Sequence, residues 1–353
     1  MNMTHGLPAL PAQPAGTPWP TKSWAEGDIP KNADKARLMR LVDHAFQPQA
    51  PADLGETHAL VIVQHGRLIH ERYWTGFGPD ATCPSWSKAK SITQALAGIL
   101  VGDGKLDVMK PADVPEWRET PGDPRAAITL DLLLRMSSGL RFVEDYVPDH
   151  PSDVIEMLWG KGKEDVAHFA ASFPLEHKPG SFYSYSSGTT NIVSRCLARA
   201  LGASGAGFER FMRERLFDPI GMTSADPKFD AAGTFIGSSF CFATPRDFAR
   251  FGLLYLRDGV WDGRRILPKG WVDYARTPTW QQPTEDGPYG AHWWLGLGGP
   301  GSFSAVGYDG QYTLAIPDLD MVIVRHGKTP AAMKNNVKAW LRDIADCFRT
   351  GRE

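Results

Sequence analysis

The segment "SWSKAKS", residues 85–91, contains two Ser-x-x-Lys pairs, and each joins a potential nucleophile to a potential base. Ser85 precedes Lys88, and Ser87 precedes Lys90. At the start of a helix, a lysine three positions after a serine lies one turn further on and can reach its hydroxyl. Burial lowers the pKa of a lysine, which lets its amine accept the serine proton. The segment alone does not exclude an ordinary solvated helix start.

A second segment, "PGSFYSYSSGTTN" at residues 179–191, places aromatic rings and hydroxyls just before a predicted helix. It could be a turn followed by a helix capped by Ser or Thr. It could also direct a tyrosine hydroxyl at the serine, so that tyrosine and lysine share the serine proton. Free Tyr and Lys have pKa values of about 10 and 10.4, so such a pair needs a cationic or desolvated neighbour to act as a base at neutral pH.

The third segment is "AVGYDGQYTLAI", residues 305–316, in which Gly307 and Gly310 flank the start of an apparent strand. Glycine in a strand marks a bulge or a close approach of the backbone to another group. One interpretation is therefore a bulge at a sheet edge. The other is a strand whose backbone N–H completes an oxyanion hole together with the N–H of the nucleophile.

The elements that would position these segments are predicted from hydrophobic patterns. Apolar periodicity predicts helices at 35–46 and near 331–348. "ALVIVQHGRLIHERYW" and "QYTLAIPDLDMVIVRHG" each predict a hairpin, the first turning at His65-Gly66 and the second at "PDLD". Helix and strands at both ends of the chain predict one antiparallel sheet closed by the two termini. "SITQALAGILVGDG" is apolar on all sides and predicts a buried central helix.

These elements predict an α/β protein in which an antiparallel sheet, flanked by terminal helices, carries a helical insertion. The α/β layer is expected from about 31–86 and 240–353, and the helical layer from about 87–239. The site would lie in the cleft between the two layers. Residues 1–30, rich in Pro and Ala, predict a flexible leader ahead of a single catalytic unit at 31–353.

Composition and charge exclude several classes of function. The formal net charge is -2, and no run of like charges favours nucleic acid or a membrane surface. No segment approaches the ~18 apolar residues of a spanning helix. We expect no secretory signal, because the first residues lack a basic region followed by an apolar one. The cysteines have no metal-ligand spacing and predict free thiols in the cytoplasm; they are Cys83, Cys196, Cys241 and Cys347.

Two further patterns point away from other enzymes. "GLGGPG" at residues 296–301 fits a dinucleotide fingerprint, but a strand-like segment follows it, which favours a hairpin loop. No H-E-x-x-H, Cys/His cluster or G-x-S-x-G occurs in the sequence. These patterns indicate neither a metal nor an organic cofactor, and if the protein is a serine enzyme, it is of a kind other than the α/β-hydrolases.

The three segments, in this order, resemble motifs of the penicillin-recognising serine hydrolases, which include class C β-lactamases, DD-peptidases, esterases and 6-aminohexanoate-dimer hydrolase. "SKAK", "YSS" and "YDG" resemble the S-x-x-K, Y-x-N or Y-x-S, and K-T-G or H-x-G elements, and the likeness covers about residues 35–348. "SWSKAKSITQALAG" is most similar to the dimer-hydrolase branch, with Ser87 and Lys90 in the catalytic places. Ser85 then falls in the lead-in and Lys88 in a variable position.

The resemblance implies roles for further residues. Tyr185 would be the partner base, and the N–H groups of Ser87 and Gln311 would form the oxyanion hole. Tyr308 stands where β-lactamases and DD-peptidases usually have Lys, which disfavours recognition of a β-lactam carboxylate. "VEDYV" resembles the loop that closes over substrate in dimer hydrolases. The candidates for substrate binding are Trp86, Tyr146, Phe182, Ser187, Tyr308 and Gly310.

The resemblance thus implies a β-lactamase/DD-peptidase-like fold and a serine hydrolase that cleaves a linear amide or small ester through an acyl-enzyme. 6-Aminohexanoate oligomers are the best-known substrates of the branch. The alternatives are a β-lactamase, a D-amino-acid peptidase, or a non-catalytic relative that binds a ligand. The expected partner is a small-molecule amide or ester; a homodimer is compatible with the sequence.

Overall fold

The computed structural model describes residues 6–146, 152–279 and 287–349. Its centre is a six-stranded antiparallel sheet with the strand order β2-β1-β10-β9-β8-β7. Two short two-stranded sheets, β3-β4 and β5-β6, lie outside it. The strands are β1 (Glu56–Gln64), β2 (Arg67–Tyr73), β3 (Asp226–Pro227), β4 (Cys241–Phe242), β5 (Val260–Trp261), β6 (Arg264–Arg265), β7 (Trp294–Leu295), β8 (Phe303–Gly307), β9 (Gln311–Ile316) and β10 (Met321–Lys328).

The sheet is closed by strands from the two ends of the chain, as predicted. β1 pairs antiparallel with β10, with Val61 opposite Val324. The turn between β1 and β2 is at His65-Gly66, whose φ angles of 52° and 73° suit a tight hairpin turn. The "GLGGPG" segment joins β7 to β8, which confirms the expected hairpin loop.

Both faces of the sheet are buried, because alternate residues of β1 enter two different cores. Leu60 and Ile62 pack with the terminal helices, whereas Val61 and Val63 pack with the central helical layer. Period-two alternation places successive side chains on opposite faces, so a strand buried on both sides is apolar throughout. The apolar run in β1 is therefore explained by two cores.

The helices form a layer on each side of the sheet. They are α1 (Lys35–Ala45), α2 (Ala89–Gly102), α3 (Leu130–Leu134), α4 (Asp153–Leu158), α5 (Val166–Ala171), α6 (Ser187–Leu201), α7 (Ala206–Met212), α8 (Asp218–Ile220), α9 (Pro245–Leu256), α10 (Trp271–Arg276) and α11 (Lys334–Asp346). α2 is buried along nearly its whole length, which matches its apolar sequence. None of the helices within the described residues has the length and apolar character needed to cross a membrane.

The predicted leader is held against the folded unit by several hydrogen bonds. The guanidinium groups of three buried arginines donate to backbone carbonyls: Arg276 to Pro8 (2.6 Å), Arg257 to Pro11 (3.2 Å) and Arg250 to Pro20 (2.7 Å). The boundary at residue 30, the flexibility of the leader and the limits of the two layers stay predictions.

Candidate active site

The candidate nucleophile lies in a tight turn that leads into α2. Residues Trp86–Lys88 form one turn of 3-10 helix, and α2 begins at the next residue. Trp86 has a φ of 46°, in the left-handed region that a bulky side chain rarely adopts. Backbone strain of this kind costs roughly 1–3 kcal/mol and persists only where packing enforces it. The turn leaves Ser87 partly exposed while Lys90 is buried.

The amine of Lys90 is surrounded by three oxygen atoms. Its Nζ lies 2.9 Å from Ser87 Oγ, 2.9 Å from Ser187 Oγ and 3.0 Å from the Ser238 carbonyl oxygen. Burial lowers the pKa of Lys90 to about 8, although the charge of Glu144 raises it. The amine is therefore neutral in a larger fraction of molecules near neutral pH than a solvated lysine would be, and a neutral amine can accept a proton.

The second neighbour of Lys90, Ser187, is fixed by a carboxylate. The Glu144 carboxylate accepts a hydrogen bond from the Ser187 N–H (2.7 Å) and another from the Ser187 hydroxyl (2.6 Å). Ser187 is the first residue of α6, so the carboxylate also lies at the positive end of a helix. Burial raises the pKa of Glu144, against the opposing effects of the Lys90 charge and the Ser187 hydrogen bonds.

The predicted partner base lies beside the same amine. Lys90 Nζ is 4.8 Å from the centroid of the Tyr185 ring. This ring stacks on Trp294 at 5.6 Å and meets Tyr289 edge-on at 5.9 Å. Tyr185 directly precedes Ser186, the N-cap of α6, whose hydroxyl accepts from the Thr189 N–H. The starts of α2 and α6 thus bring together Ser87, Lys90, Tyr185 and Ser187.

The rival pair, Ser85 and Lys88, is buried and has other partners. Ser85 Oγ donates to the Ser239 carbonyl (3.1 Å) and accepts from the Cys241 N–H (3.0 Å). Lys88 Nζ lies 2.9 Å from His326 Nε2 and 3.2 Å from the Phe248 ring centroid. Both side chains are fully inaccessible to solvent, at 0% exposure. A substrate therefore has no access to this serine.

The third predicted segment brings the sheet against the nucleophile turn. A Cβ on Gly307 would lie 2.4 Å from the Ser85 carbonyl oxygen, so only glycine permits this approach of β8. Gly310 has a φ of 78°, and its carbonyl accepts from Arg325 (2.8 Å). Gln311 pairs with Gly307 across the β8–β9 register, and its side-chain amide bonds both backbone groups of Gly327. The start of β9 is therefore rigidly placed.

Aromatic rings pack around Trp86, next to the nucleophile. The ring centroids of Tyr308, Phe240, Trp159 and Tyr146 lie 5.4, 6.2, 6.3 and 6.5 Å from that of Trp86. We call these five residues the Trp86 cluster. Its Tyr146 and Tyr308 rings stack on each other at 4.8 Å.

The remaining substrate-binding candidate, Phe182, does not belong to the Trp86 cluster. Its ring stacks on His177 at 4.1 Å, and 49% of the residue is exposed. Trp159 is equally exposed at 49%, so part of the cluster faces solvent as well.

Several residues of the site were not identified from the sequence. Glu144 lies two positions before Tyr146 in "VEDYV", and an acidic residue in a loop expected to close over substrate was the available signal. Trp159, Ser238 and Phe240 come from distant parts of the chain, and no local pattern connects them to Ser87.

Comparison with known proteins identifies the family of this chain. The model of the Beta-lactamase family matches residues 55–345. The 6-aminohexanoate-dimer hydrolase of Paenarthrobacter ureafaciens is 26% identical over 299 residues, which cover 78% of this chain and 73% of that protein.

Solved structures show the same fold. A provisionally assigned 6-aminohexanoate-dimer hydrolase from Bacillus anthracis superposes with a TM-score of 0.75 and 23% identity, over 94% of this chain and 89% of that one. A family VIII carboxylesterase superposes with a TM-score of 0.68 and 13% identity, over 91% and 99%. These likenesses confirm the predicted fold, and the family match together with the Paenarthrobacter ureafaciens relative confirms the predicted resemblance. Because the family match spans most of its length, the chain belongs to the beta-lactamase family.

Proposed function

We propose that this protein is a hydrolase that cleaves a linear amide or small carboxylic ester through an acyl-enzyme on Ser87. The observation that carries the proposal is the contact of 2.9 Å between Ser87 Oγ and the Lys90 amine, whose pKa is lowered to about 8 by burial. A nucleophilic serine needs an adjacent base within hydrogen-bond reach. Lys90 meets both the distance and the protonation requirement.

In the first step, Ser87 Oγ forms a bond to the substrate carbonyl carbon, and the hydroxyl proton passes to Lys90. The carbonyl oxygen becomes an oxyanion, for which the N–H groups of Ser87 and Gln311 are the proposed donors. The close approach of Gly307 to the Ser85 carbonyl supports this role, because it holds the start of β9 near the nucleophile.

Collapse of the tetrahedral intermediate breaks the bond to the amine or alcohol, which leaves with a proton returned through Tyr185. Water then attacks the acyl carbon, gives its proton to the same base pair and releases the carboxylic acid and free Ser87. The ring of Tyr185 beside the Lys90 amine supports this shared role. No metal or cofactor is needed to balance these steps.

The Trp86 cluster supports a substrate with an apolar acyl chain. Its rings pack on Trp86, the residue directly before Ser87, and aromatic side chains contribute much of the binding energy of apolar ligands. Tyr308 presents a ring where a β-lactam-recognising relative would present a cation. We therefore propose that short acyl esters and linear amides are hydrolysed faster than β-lactams.

The first test compares wild type with Ser87→Ala and Ser85→Ala. Each protein is incubated with a fluorophosphonate, its intact mass is recorded, and turnover of p-nitrophenyl esters, 6-aminohexanoate dimer and nitrocefin is measured. We expect one adduct and ester turnover in wild type and Ser85→Ala. Ser87→Ala should form no adduct and lose activity by about 10³-fold or more.

Other results would change the assignment of the nucleophile or of the activity. If Ser85→Ala is inactive although folded and Ser87→Ala is labelled, the other serine is the nucleophile. Nitrocefin turnover equal to ester turnover would favour a β-lactamase or peptidase. If wild type neither labels nor turns over any substrate, the protein is a ligand-binding relative.

A further inference from the structure

The hydrogen bonds of Lys90 determine where its proton-accepting lone pair points. A neutral amine has two N–H donors and one lone pair, and Lys90 Nζ has three oxygen neighbours. The Ser238 carbonyl oxygen can only accept, so it takes one N–H. Ser187 and Ser87 carry hydroxyls, which can donate or accept. The second N–H and the lone pair must be divided between these two serines.

The Glu144 carboxylate determines which serine receives the second N–H of Lys90 and which serine faces its lone pair. An ionised carboxylate only accepts, and its two oxygens lie 2.7 Å from the Ser187 nitrogen and 2.6 Å from Ser187 Oγ. The Ser187 hydroxyl proton is therefore committed to Glu144. Ser187 Oγ can then only accept from Lys90, which takes the second N–H and leaves the lone pair directed at the hydroxyl of Ser87.

We propose that Glu144 is a positioning residue that acts through Ser187 to direct the lone pair of Lys90 at Ser87. This inference rests on the proposed function, in which Lys90 accepts the Ser87 proton. Glu144 touches neither the nucleophile nor the substrate carbonyl in this scheme. Its contribution is the orientation of one hydroxyl.

Without the carboxylate, a second arrangement becomes available. The Ser187 hydroxyl can turn and donate to the Lys90 lone pair, and a Lys90 N–H then points at Ser87 Oγ. Lys90 cannot accept the serine proton in that arrangement, although every heavy atom is in the same place. Glu144 excludes it.

Glu144→Gln reverses this hydrogen bond while keeping the shape of the side chain. The Ser187 N–H is a donor and requires the amide oxygen, which leaves the amide NH₂ facing Ser187 Oγ. The NH₂ group donates to that oxygen and frees the Ser187 hydroxyl to donate to Lys90. The substitution thus favours the unproductive arrangement.

The charge of Glu144 changes the acylation rate in the direction opposite to the orientation of the lone pair, so an experiment can distinguish the two effects. The carboxylate raises the pKa of Lys90, so its removal increases the neutral fraction of the amine at neutral pH. Electrostatics alone therefore predicts faster acylation in Glu144→Gln. Orientation of the lone pair predicts slower acylation.

The other titratable groups near this network do not reproduce the effect. The tyrosines that interact with Glu144 are Tyr146, whose hydroxyl also hydrogen-bonds Ser187, and Tyr289; burial raises the pKa of both, so both stay neutral. His292, which faces Lys90, has its pKa lowered to about 3 by burial and is neutral above pH 5. The Ser187 N–H and hydroxyl both donate to Glu144 and stabilise its ionised form against the effect of burial, so Lys90 and Glu144 are the groups whose charge the experiment tests.

The experiment measures acylation by p-nitrophenyl ester burst kinetics and fluorophosphonate labelling from pH 5 to 10. Wild type is compared with Glu144→Gln and Ser187→Ala. The matched control is Asp153→Ala, because Asp153 accepts from the Val143 N–H (2.8 Å) and anchors the same loop next to Glu144. Thermal melts report whether each variant folds.

We expect Glu144→Gln to acylate about 10- to 100-fold more slowly, with KM changed less than about twofold and the rise of the rate with pH moved to lower pH. Asp153→Ala should stay within about threefold of wild type. Ser187→Ala, which leaves one Lys90 N–H without its acceptor, should also lose about tenfold or more; it carries the test if Glu144→Gln does not fold.

An unchanged or faster Glu144→Gln, an equal loss in Asp153→Ala, or full activity of Ser187→Ala would overturn the proposal. Failure of the proposed function looks different, because wild type would then form no adduct on Ser87 at any pH.

Discussion

Lys88 and Lys90 are separated by one residue and both are buried, yet their amines have different hydrogen-bond partners. Burial lowers the pKa of both amines. Lys88 faces an imidazole and an aromatic ring, whereas Lys90 faces three oxygens, one of which belongs to a partly exposed serine. A lowered lysine pKa therefore does not mark a catalytic base by itself.

The two serines show the same contrast. The Ser85 hydroxyl makes two hydrogen bonds within the protein: it donates to the Ser239 carbonyl and accepts from the Cys241 N–H. These bonds join the nucleophile turn to the start of β4. The hydroxyl of Ser87 lies against the Lys90 amine. We call Ser85 and Lys88 the inner pair and Ser87 and Lys90 the outer pair. The inner pair is fully buried, whereas Ser87 of the outer pair is partly exposed, so solvent access and hydrogen-bond partners distinguish the two pairs.

The largest effect expected from this comparison is between Lys90→Met and Lys88→Met. Methionine keeps the length and apolar stem of lysine but removes the amine. Lys90→Met should lose esterase activity by about 10²- to 10⁴-fold, because the proposed general base is gone. Lys88→Met should keep activity within about threefold, because no reacting atom touches Lys88. Initial rates with p-nitrophenyl acetate, measured on variants that fold by circular dichroism, decide the matter.

Equal losses of esterase activity in the two variants would contradict this difference, since each lysine would then serve only to support the turn. If Lys88→Met folds but is inactive while Lys90→Met is active, the roles of the two lysines are the reverse of those proposed.

The next effect is the dependence of activity on pH. Lys90 must be neutral to accept a proton, and burial lowers its pKa to about 8. The acylation rate should therefore rise with pH, reach half its maximum near pH 8 and level off above pH 9. Lys88→Met should show the same profile. A half-maximum near the ordinary lysine pKa of 10.5 would mean that Lys90 is not desolvated in solution.

The smallest effect concerns stability, and it belongs to the inner pair. Burial and the neighbouring Lys88 hold the pKa of His326 well below its ordinary value of 6.5. Below pH 6.5 the unfolded chain binds a proton on His326 that the folded protein does not, so acidification favours unfolding. The free energy of unfolding should fall by at least about 1–2 kcal/mol more in wild type than in Lys88→Met/His326→Phe between pH 7 and pH 5, because the double variant also removes Lys88, whose pKa is likewise lowered by burial.

Urea unfolding at the two pH values measures this difference, and a double variant that keeps the wild-type slope would contradict it. Esterase activity of the double variant serves as the control, because the outer pair is intact.

Much of the fold could be predicted because its signals are local. The apolar runs of β1 and β10, the turn residues at His65-Gly66 and the periodicity of α1 each occur within a few residues. These elements were assigned correctly, and pairing of the terminal strands followed from their order.

The site could be predicted only in part. α2 is buried on all sides, so helical periodicity could not choose between Ser87 and Ser85; the resemblance made that choice, and the roles it implies stay predictions. Glu144 was missed because its contact with Ser187 depends on the path of a loop. The burial of Lys88 depends on His326, a residue of the opposite end of the chain. Contacts between residues far apart in the sequence produce no local sequence pattern.

The pairing of β1 with β10 also has a consequence for how the protein is made. A ribosome releases Ser87, Lys90 and Tyr185 long before it completes β10, so β1 and β2 emerge as a hairpin with an open edge. β10 also supplies His326 to Lys88 and the anchor for Gln311. A nascent chain halted before Met321 therefore carries the proposed reactive side chains but lacks the β10 contacts of Lys88 and Gln311. The proposed hydrolytic activity should therefore begin only after β10, one of the last strands to be synthesised, enters the sheet.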